Sequence, residues 1–197
     1  MNGRLLVVVG PSGAGKDSLL AWLREHMPAS QPVHWVRRTI TRPAQAGGEA
    51  HEGLSEAEFE TVLQTGGFAL HWHANGLRYG IRHEELKPLQ HRQWIFLNGS
   101  RAHLDACALA YPGMTVLHIT ADVRVLRERL RGRGREDEAA MEARLLRAVD
   151  LVVPRGSRLI EVHNSCSLDQ AGQQLLQALQ SLPGWPVQHP TPGASLD

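Results

Sequence analysis

Residues 4–18 read RLLVVVGPSGAGKDS, and this stretch decides the fold. Leu5 to Val9 form a short, unbroken apolar run closed by glycine, the pattern of a strand buried on both faces in a parallel sheet. The pattern G-x-x-x-x-G-K, from Gly10 to Lys16, follows directly and opens a helical stretch. In that setting the glycines let backbone N–H groups turn inward around phosphates at a helix N-terminus, and the lysine reaches the β- and γ-phosphates. Gly10, Pro11, Ser12, Gly13, Ala14, Gly15, Lys16, Asp17 and Ser18 are therefore candidate nucleotide-binding residues, with Lys16 also the candidate catalytic cation. The position after the lysine usually holds a hydroxyl that ligates Mg2+, but here it is Asp17. A carboxylate is a hard oxygen ligand and could hold Mg2+ directly or through water; Ser18 is the neighbouring candidate. Asp17 could instead be a first-turn acid that favours the helix dipole.

Working outward, "DSLLAWLREHM" has apolar residues at helical spacing, and Pro28 ends it. "VHWV" reads as a second strand. From residue 37 to 88 the pattern changes to an inserted mixed subdomain. It holds a Gly-rich loop from Gln45 to Gly53, a helix over "SEAEFETVLQTGG" with a Ser55/Glu58 capping box, and two strand-like pieces, "FALHWHA" and "LRYGI". The sheet resumes with "QWIFLNG", a helix from near Arg101, the strand "MTVLHIT" and the helix "VRVLRERLRG", capped by Asp122. "RGRGRED" is too polar and Gly-rich for a core and leads into a helix over "EAAMEARLLRAVDLV". "RLIEVHN" is the last strand and "SLDQAGQQLLQALQSL" the closing helix. Strands alternating with helices predict a doubly wound parallel α/β sheet. The expected organisation is one domain over 1–182, with core 1–36, 89–131 and 139–182, insertion 37–88 and lid 132–138. The Pro-rich residues 183–197 are expected to be disordered.

A chain of 197 residues, 42% hydrophobic, supports one sizeable core. No apolar run approaches the ~18 residues that span a bilayer, and no secretory pattern precedes the first strand, so no membrane partner and a cytoplasmic location are expected. Cys107 and Cys166 are too isolated for a disulfide framework or a metal knuckle. A net charge of +1 gives no basic field for nucleic acid. Yet of 21 basic side chains only Lys16 and Lys87 are lysines, and eight arginines fall between Arg124 and Arg147. Guanidinium forks suit bidentate phosphate recognition.

At this point the chain resembles the guanylate kinase family. "TRP" (Thr41 to Pro43), "GE" (Gly48, Glu49), "YG" (Tyr79, Gly80), "RLRGRGRE" (Arg129 to Glu136) and Arg144 follow that family's order and spacing, from about Arg4 to Leu179. The resemblance implies a P-loop kinase that uses ATP and Mg2+, with an insertion that binds the phosphoryl acceptor and an Arg-rich lid. It implies that Arg42 binds acceptor phosphate, that Arg129 and Arg133 serve the nucleotide, and that Arg133 and Arg144 act on the transferring phosphate.

The departures concern the base. His71 stands where the family has the Glu that hydrogen-bonds guanine, and Ile81 and Arg82 follow Tyr79-Gly80 in place of a base-reading Ser. The family's acceptor-phosphate Tyr has no counterpart after Glu49, and its Asp-bearing strand becomes "WIFLNGSR". Together with Gly-Lys-Asp-Ser in the loop, the segments "HWHANGL" and "NGSRAHL" resemble a branch of the family, serving bacterial phosphonate utilisation, whose acceptor is ribose 1,5-bisphosphate. That branch implies a small-molecule sugar phosphate as partner, with guanylate or another nucleoside monophosphate as the alternative acceptor. Candidate acceptor binders are Arg37, Arg38, Arg42, Glu49, His71, Arg78, Tyr79, Asn98 and Arg101. His71 and His73 share one strand face, a pair that can bind metal, with no third ligand in view. The expected state is monomer or homodimer.

Overall fold

The computed structural model describes residues 4–28, 30–44, 50–132 and 151–186. Its centre is β1 (Leu5–Val9), in which every residue is fully buried. Alternation explains how one strand feeds two cores: Leu6 and Val8 point into one apolar cluster, while Leu5, Val7 and Val9 point into the other. β1 pairs in parallel with β7 (Trp94–Asn98) on one side and β8 (Thr115–Thr120) on the other. β2 (Val33–Trp35) and β9 (Arg158–His163) complete a five-stranded parallel sheet in the order β2-β7-β1-β8-β9. The chain leaves β1 toward one edge and later returns to build the other. Ligands bind at such a reversal, outside the carboxyl ends of the strands.

The first face is covered by α1 (Lys16–His26), α5 (Val123–Arg131) and α6 (Leu168–Gln180). Ser167 and Gln170 form a capping box that starts α6, a signal present in "SLDQ". α1 and α6 approach closely because residue 172 is glycine: a Cβ there would fall on the indole of Trp22. Trp22 Nε1 also donates to Asp169 Oδ1 at 2.6 Å. The second face is covered by α4 (Leu104–Ala110) and by the inserted subdomain.

That subdomain is a second sheet in the order β4-β3-β6-β5, from β3 (Thr39–Ile40), β4 (Glu52–Gly53), β5 (Phe68–Ala74) and β6 (Leu77–Arg82). The β5–β6 hairpin turns at Asn75-Gly76, with φ of 51° and 73°, the positive values that a tight hairpin turn requires. α2 (Glu56–Gln64) starts at the Ser55/Glu58 capping box, and α3 (His83–Leu86) follows β6.

Several expectations change. Glu52 and Gly53 are not loop: they pair with β3 as β4. The helix expected from Arg101 begins as a 3-10 turn over Arg101–His103 before α4. Asp122 sits at the N-cap of α5 without a side-chain cap; its Oδ1 lies 3.3 Å from His163 Nε2 instead. Leu151 and Val152, expected to end a helix, are not helical. The rest of that helix up to residue 150, and lid residues 133–138, lie outside the described residues. The start of the Pro-rich segment is packed rather than loose. Trp185 is buried edge-on against Trp94 and Phe96, and Trp94 Nε1 donates to the Gly184 carbonyl at 3.2 Å. An indole can bury more apolar area than the neighbouring prolines and polar residues suggest. Residues 187–197 lie outside the described set.

Candidate functional site

The turn after β1 is built on glycines. Gly10 has φ 153°, and a Cβ there would fall on the Ile119 carbonyl of β8. Gly13 and Gly15 have φ of 86° and 82°, conformations that favour glycine and turn successive N–H groups inward. Gly15 is the N-cap of α1, with no side-chain cap. No side-chain cap thus stands at the helix N-terminus, the end of a helix where backbone N–H groups favour an anion. Lys16 Nζ donates to the carbonyls of Gly10 at 3.0 Å and Pro11 at 3.2 Å, so the ammonium lies across the loop.

Two further residues brace the loop. Asn164, 3% exposed at the end of β9, donates from Nδ2 to the Ala14 carbonyl at 2.7 Å. Arg129 Nη1 donates to the Gly13 carbonyl at 3.3 Å, which ties that arginine to the loop. Asn164 has no sequence signal of its own, because its partner lies 150 residues away.

A cleft of about 830 Å³ opens from the loop. Gly10, Ser12, Gly13, Gly15, Lys16 and Asp17 line one side; Arg38, Trp72, Tyr79 and the hairpin residues His73, Ala74 and Asn75 line another. Asn98, Gly99, Ser100, Arg101, Ala102 and Asp105 form the floor leading into α4, with Val152 at the rim. Pro11 and Ala14 belong to the loop but are buried behind its lining. Ser18 is exposed and outside the lining, whereas Asp17 is in it.

The wall supplied by the inserted sheet has a physical design. Trp72 and Tyr79 are directly opposite across the β5–β6 pair and stack at 5.4 Å with an interplanar angle of 4°. The Arg38 guanidinium lies 5.1 Å from the Tyr79 ring centroid, and its Nη1 donates to the Asn98 carbonyl at 3.3 Å. A planar cation stacked in this way is held with its fork in a defined place. Behind the wall His103 tilts against Trp72 at 5.8 Å, and burial, with His71 nearby, holds its pKa below the usual imidazole value. Burial likewise pushes the Cys107 thiol up to about 11, away from nucleophilic use.

Other candidates are placed elsewhere. Arg78 is not in the cleft lining; it pairs with Glu60 at 2.8 Å and lies over Phe59, tying β6 to α2. Arg42 is outside the lining too, with Nη2 3.4 Å from His51 Nδ1. Arg37 is exposed, its backbone N–H on Glu85 Oε2 and its Nη2 on the His51 carbonyl. Each guanidinium is engaged by a group of the inserted subdomain: Arg78 by Glu60, Arg37 by the His51 carbonyl and Arg42 by the His51 ring. His71 and His73 both lie on the exposed face of β5, but only His73 lines the cleft. Among the described residues no three His, Cys, Asp or Glu side chains are grouped to hold a metal. Glu49, Arg133 and Arg144 lie outside the described residues. Trp72, Asn75, Ser100, Asp105 and Val152 join the cleft without being read as site residues from the sequence; Asn-Gly at 75–76 and Gly-Ser after Asn98 were the only local signals.

Arg82 holds the inserted sheet together and takes no place in the cleft lining. Its Nε and Nη2 donate to Glu52 Oε2 and Oε1 at 2.8 and 2.7 Å, and Thr39 Oγ1 donates to Oε2 at 2.6 Å. The Arg82 hydrogen bonds hold the Glu52 carboxyl below its ordinary pKa, against a smaller opposing effect of burial. A lowered carboxylate pKa stabilises the fold above the ordinary carboxylate pKa and loses that contribution as pH falls through the lowered value. Arg82→Gln is therefore expected to lower Tm by roughly 2–4 °C at pH 7, for a loss of about 1 kcal/mol. The difference from the parent chain should shrink as pH falls through the lowered Glu52 value, where the carboxyl protonates in the parent as well. Thermal melts from pH 7 to 3 check this; a pH-independent difference would contradict the assignment.

A parallel sheet that delivers a glycine loop, a lysine and a helix N-terminus to one cleft defines a P-loop nucleotide-binding fold. A family model for guanylate kinase matches residues 2–182, and the chain belongs to that family. Among its curated relatives, ribose 1,5-bisphosphate phosphokinase PhnN of Thiobacillus denitrificans is 44% identical over 178 residues, covering 90% of this chain and 93% of that one. The protein of the same name from Pseudomonas fluorescens is 45% identical over 183 residues, covering 91% and 96%. Among solved structures, guanylate kinase from Anaplasma phagocytophilum matches with TM-score 0.56 at 15% identity, covering 91% of this chain and 85% of that chain. A likeness at that identity establishes the fold alone. No helix among the described residues is long and apolar enough to cross a membrane.

Proposed function

We propose that this chain transfers the γ-phosphoryl group of ATP to the anomeric phosphate of ribose 1,5-bisphosphate, giving ADP and 5-phosphoribosyl 1-diphosphate. The observation that carries this reading is the 44–45% identity to phosphokinases of that name over nine-tenths of both chains. The cleft agrees with it. Its volume lies in the upper part of the roughly 300–1,000 Å³ range of small-molecule sites, which suits two phosphorylated ligands meeting end to end. Lys16 serves the donor side, and Arg38 and Arg101 present cations on the acceptor side.

The attacking atom is a phosphate oxygen that is already anionic, so no general base is required. What remains is positioning and neutralisation of charge in the transition state. Lys16 and the loop N–H groups hold the β- and γ-phosphates, while Arg38, stiffened by Tyr79, aligns the acceptor phosphate. Arg101 is assigned to the acceptor, and Arg133 and Arg144 to closing charge over the transferring group. Mg2+ fits the residues present: Asp17 supplies a hard carboxylate oxygen in the cleft lining beside Lys16, and Ser18 is exposed outside that lining. Bound there, the ion would neutralise charge on the nucleotide phosphates. We assign the protein to the cytoplasm, as a monomer or homodimer that acts on a small molecule.

Guanylate kinase activity is the second reading, favoured only by the family fold. Against it, Ile81 is fully buried and Arg82 is committed to Glu52, so neither residue after Tyr79-Gly80 is placed to read a base edge. The test is an acceptor comparison with ATP and Mg2+, offering ribose 1,5-bisphosphate, GMP, AMP and ribose 5-phosphate. Phosphorus NMR is expected to show an anomeric diphosphate formed from the bisphosphate, with GMP the poorer acceptor. Faster turnover of GMP, or no diphosphate signal, would overturn the assignment.

A further inference from the structure

Asn98 ends β7 level with Val8, two residues before β1 turns into the phosphate loop. It is 6% exposed, and it is used from both ends. Its side-chain Nδ2 donates to Asp17 Oδ1 at 2.7 Å, and its main-chain carbonyl accepts from Arg38 Nη1 at 3.3 Å. Arg38 in turn rests over Tyr79, which stacks on Trp72. One buried residue on a rigid strand therefore touches both the carboxylate on the donor side of the cleft and the arginine on its acceptor side.

We infer that Asn98 is a positioning residue: it orients Asp17 toward a divalent cation on the donor side and holds Arg38 for the acceptor. This rests on the reading given above for the two sides of the cleft. A carboxylate on the first turn of a helix is free to rotate, and a cation site formed by a rotating ligand loses affinity to its ordering. An amide that donates to one oxygen fixes the carboxylate plane and leaves the second oxygen for the ion; ligating carboxylates are commonly held this way by a neighbouring hydrogen bond, and removing such a partner typically weakens metal binding about 10–100-fold. Asn suits the task because an uncharged donor leaves the negative charge of Asp17 intact. The backbone carbonyl then ties the same strand end to Arg38, so a displacement on one side is felt on the other. In this arrangement the Asn98 amide nitrogen is committed to Asp17.

The test measures binding without turnover. Free Mn2+ is followed by electron paramagnetic resonance in the presence of the non-hydrolysable nucleotide AMP-PNP. The proteins compared are the parent chain, Asn98→Ala, Asn98→Leu, Asp17→Asn and the exchange variant Asp17→Asn/Asn98→Asp. Asn98→Ala and Asn98→Leu are expected to raise the Mn2+ dissociation constant about tenfold, nearly as much as Asp17→Asn does. The exchange variant re-forms the hydrogen bond with donor and acceptor reversed but takes the carboxylate away from position 17, so it should bind Mn2+ as weakly as Asp17→Asn. Asn98→Leu keeps the volume at this buried site, so it supplies the comparison if the alanine variant does not fold. Calorimetry with ribose 1,5-bisphosphate then reports the acceptor side, where a weaker, several-fold loss is expected. An unchanged Mn2+ dissociation constant in a folded Asn98 variant overturns the inference, as does parent-level Mn2+ binding in the exchange variant. A parent chain that binds Mn2+ with AMP-PNP but not the bisphosphate overturns the acceptor assignment instead, and the Mn2+ comparison still decides the role of Asn98.

Discussion

Lys16→Ala is expected to lower kcat about 10²–10³-fold in a protein that still folds. The reason is where the side chain is and what it touches. Its ammonium bonds the Gly10 and Pro11 carbonyls across the loop and belongs to neither apolar core, so packing does not depend on it. During transfer, negative charge builds on the oxygens between the β- and γ-phosphates, and a preorganised cation there acts mainly on the transition state. At about 1.4 kcal/mol per tenfold, the loss corresponds to roughly 3–4 kcal/mol of transition-state stabilisation. The KM for ATP should rise much less, because the loop N–H groups still hold the phosphates. Steady-state kinetics with a thermal melt checks both parts: Tm should stay within a few degrees. A folded variant of near-normal kcat would remove Lys16 from the catalytic machinery.

Arg38→Ala is expected to reduce kcat/KM for the acceptor about 30–100-fold while changing the KM for ATP less than about threefold. A charge-assisted hydrogen bond is worth about 1.5–3 kcal/mol, and Arg38 presents a fork already ordered by Tyr79 and the Asn98 carbonyl. Arg38→Lys should recover only part of the loss, because an ammonium neither stacks on the phenol ring nor donates bidentately. The informative control is Arg78→Ala. Arg78 pairs with Glu60 and covers Phe59, so its removal should lower Tm while leaving the acceptor KM near the parent value. A larger acceptor effect at Arg78 than at Arg38 would reverse the placement of the site.

The two arginines show where reading from the chain alone stops. Both were candidate acceptor binders by residue type and by position in the insertion, and nothing in their local sequence separates them. Arg78 faces α2 because His73 pairs with it across the β5–β6 ladder and the opposite face is given to Tyr79 and Trp72. That register follows from the two-residue Asn75-Gly76 turn. The acids that claim the Arg78 guanidinium, Glu56 and Glu60, come from a helix some twenty residues earlier. Asp122 makes the same point: it holds a cap position, but His163, distant in sequence, takes its carboxylate. Trp185 was lost among prolines because burial of an indole depends on what surface the sheet edge leaves open.

By itself the sequence determined the parallel sheet, the phosphate loop and the start of α2 at its Ser55/Glu58 capping box. Those rest on short-range causes: an apolar run buried on both faces, glycines where φ must be positive, and side chains that cap within three residues. Only the tertiary structure decided which cations enter the cleft, that Asn164 braces the loop from 150 residues away, and that Asn98 spans Asp17 and Arg38. Hydrogen bonds and ion pairs between side chains are set by distances in space, and residue spacing along a chain carries no record of them until the strands have found their register.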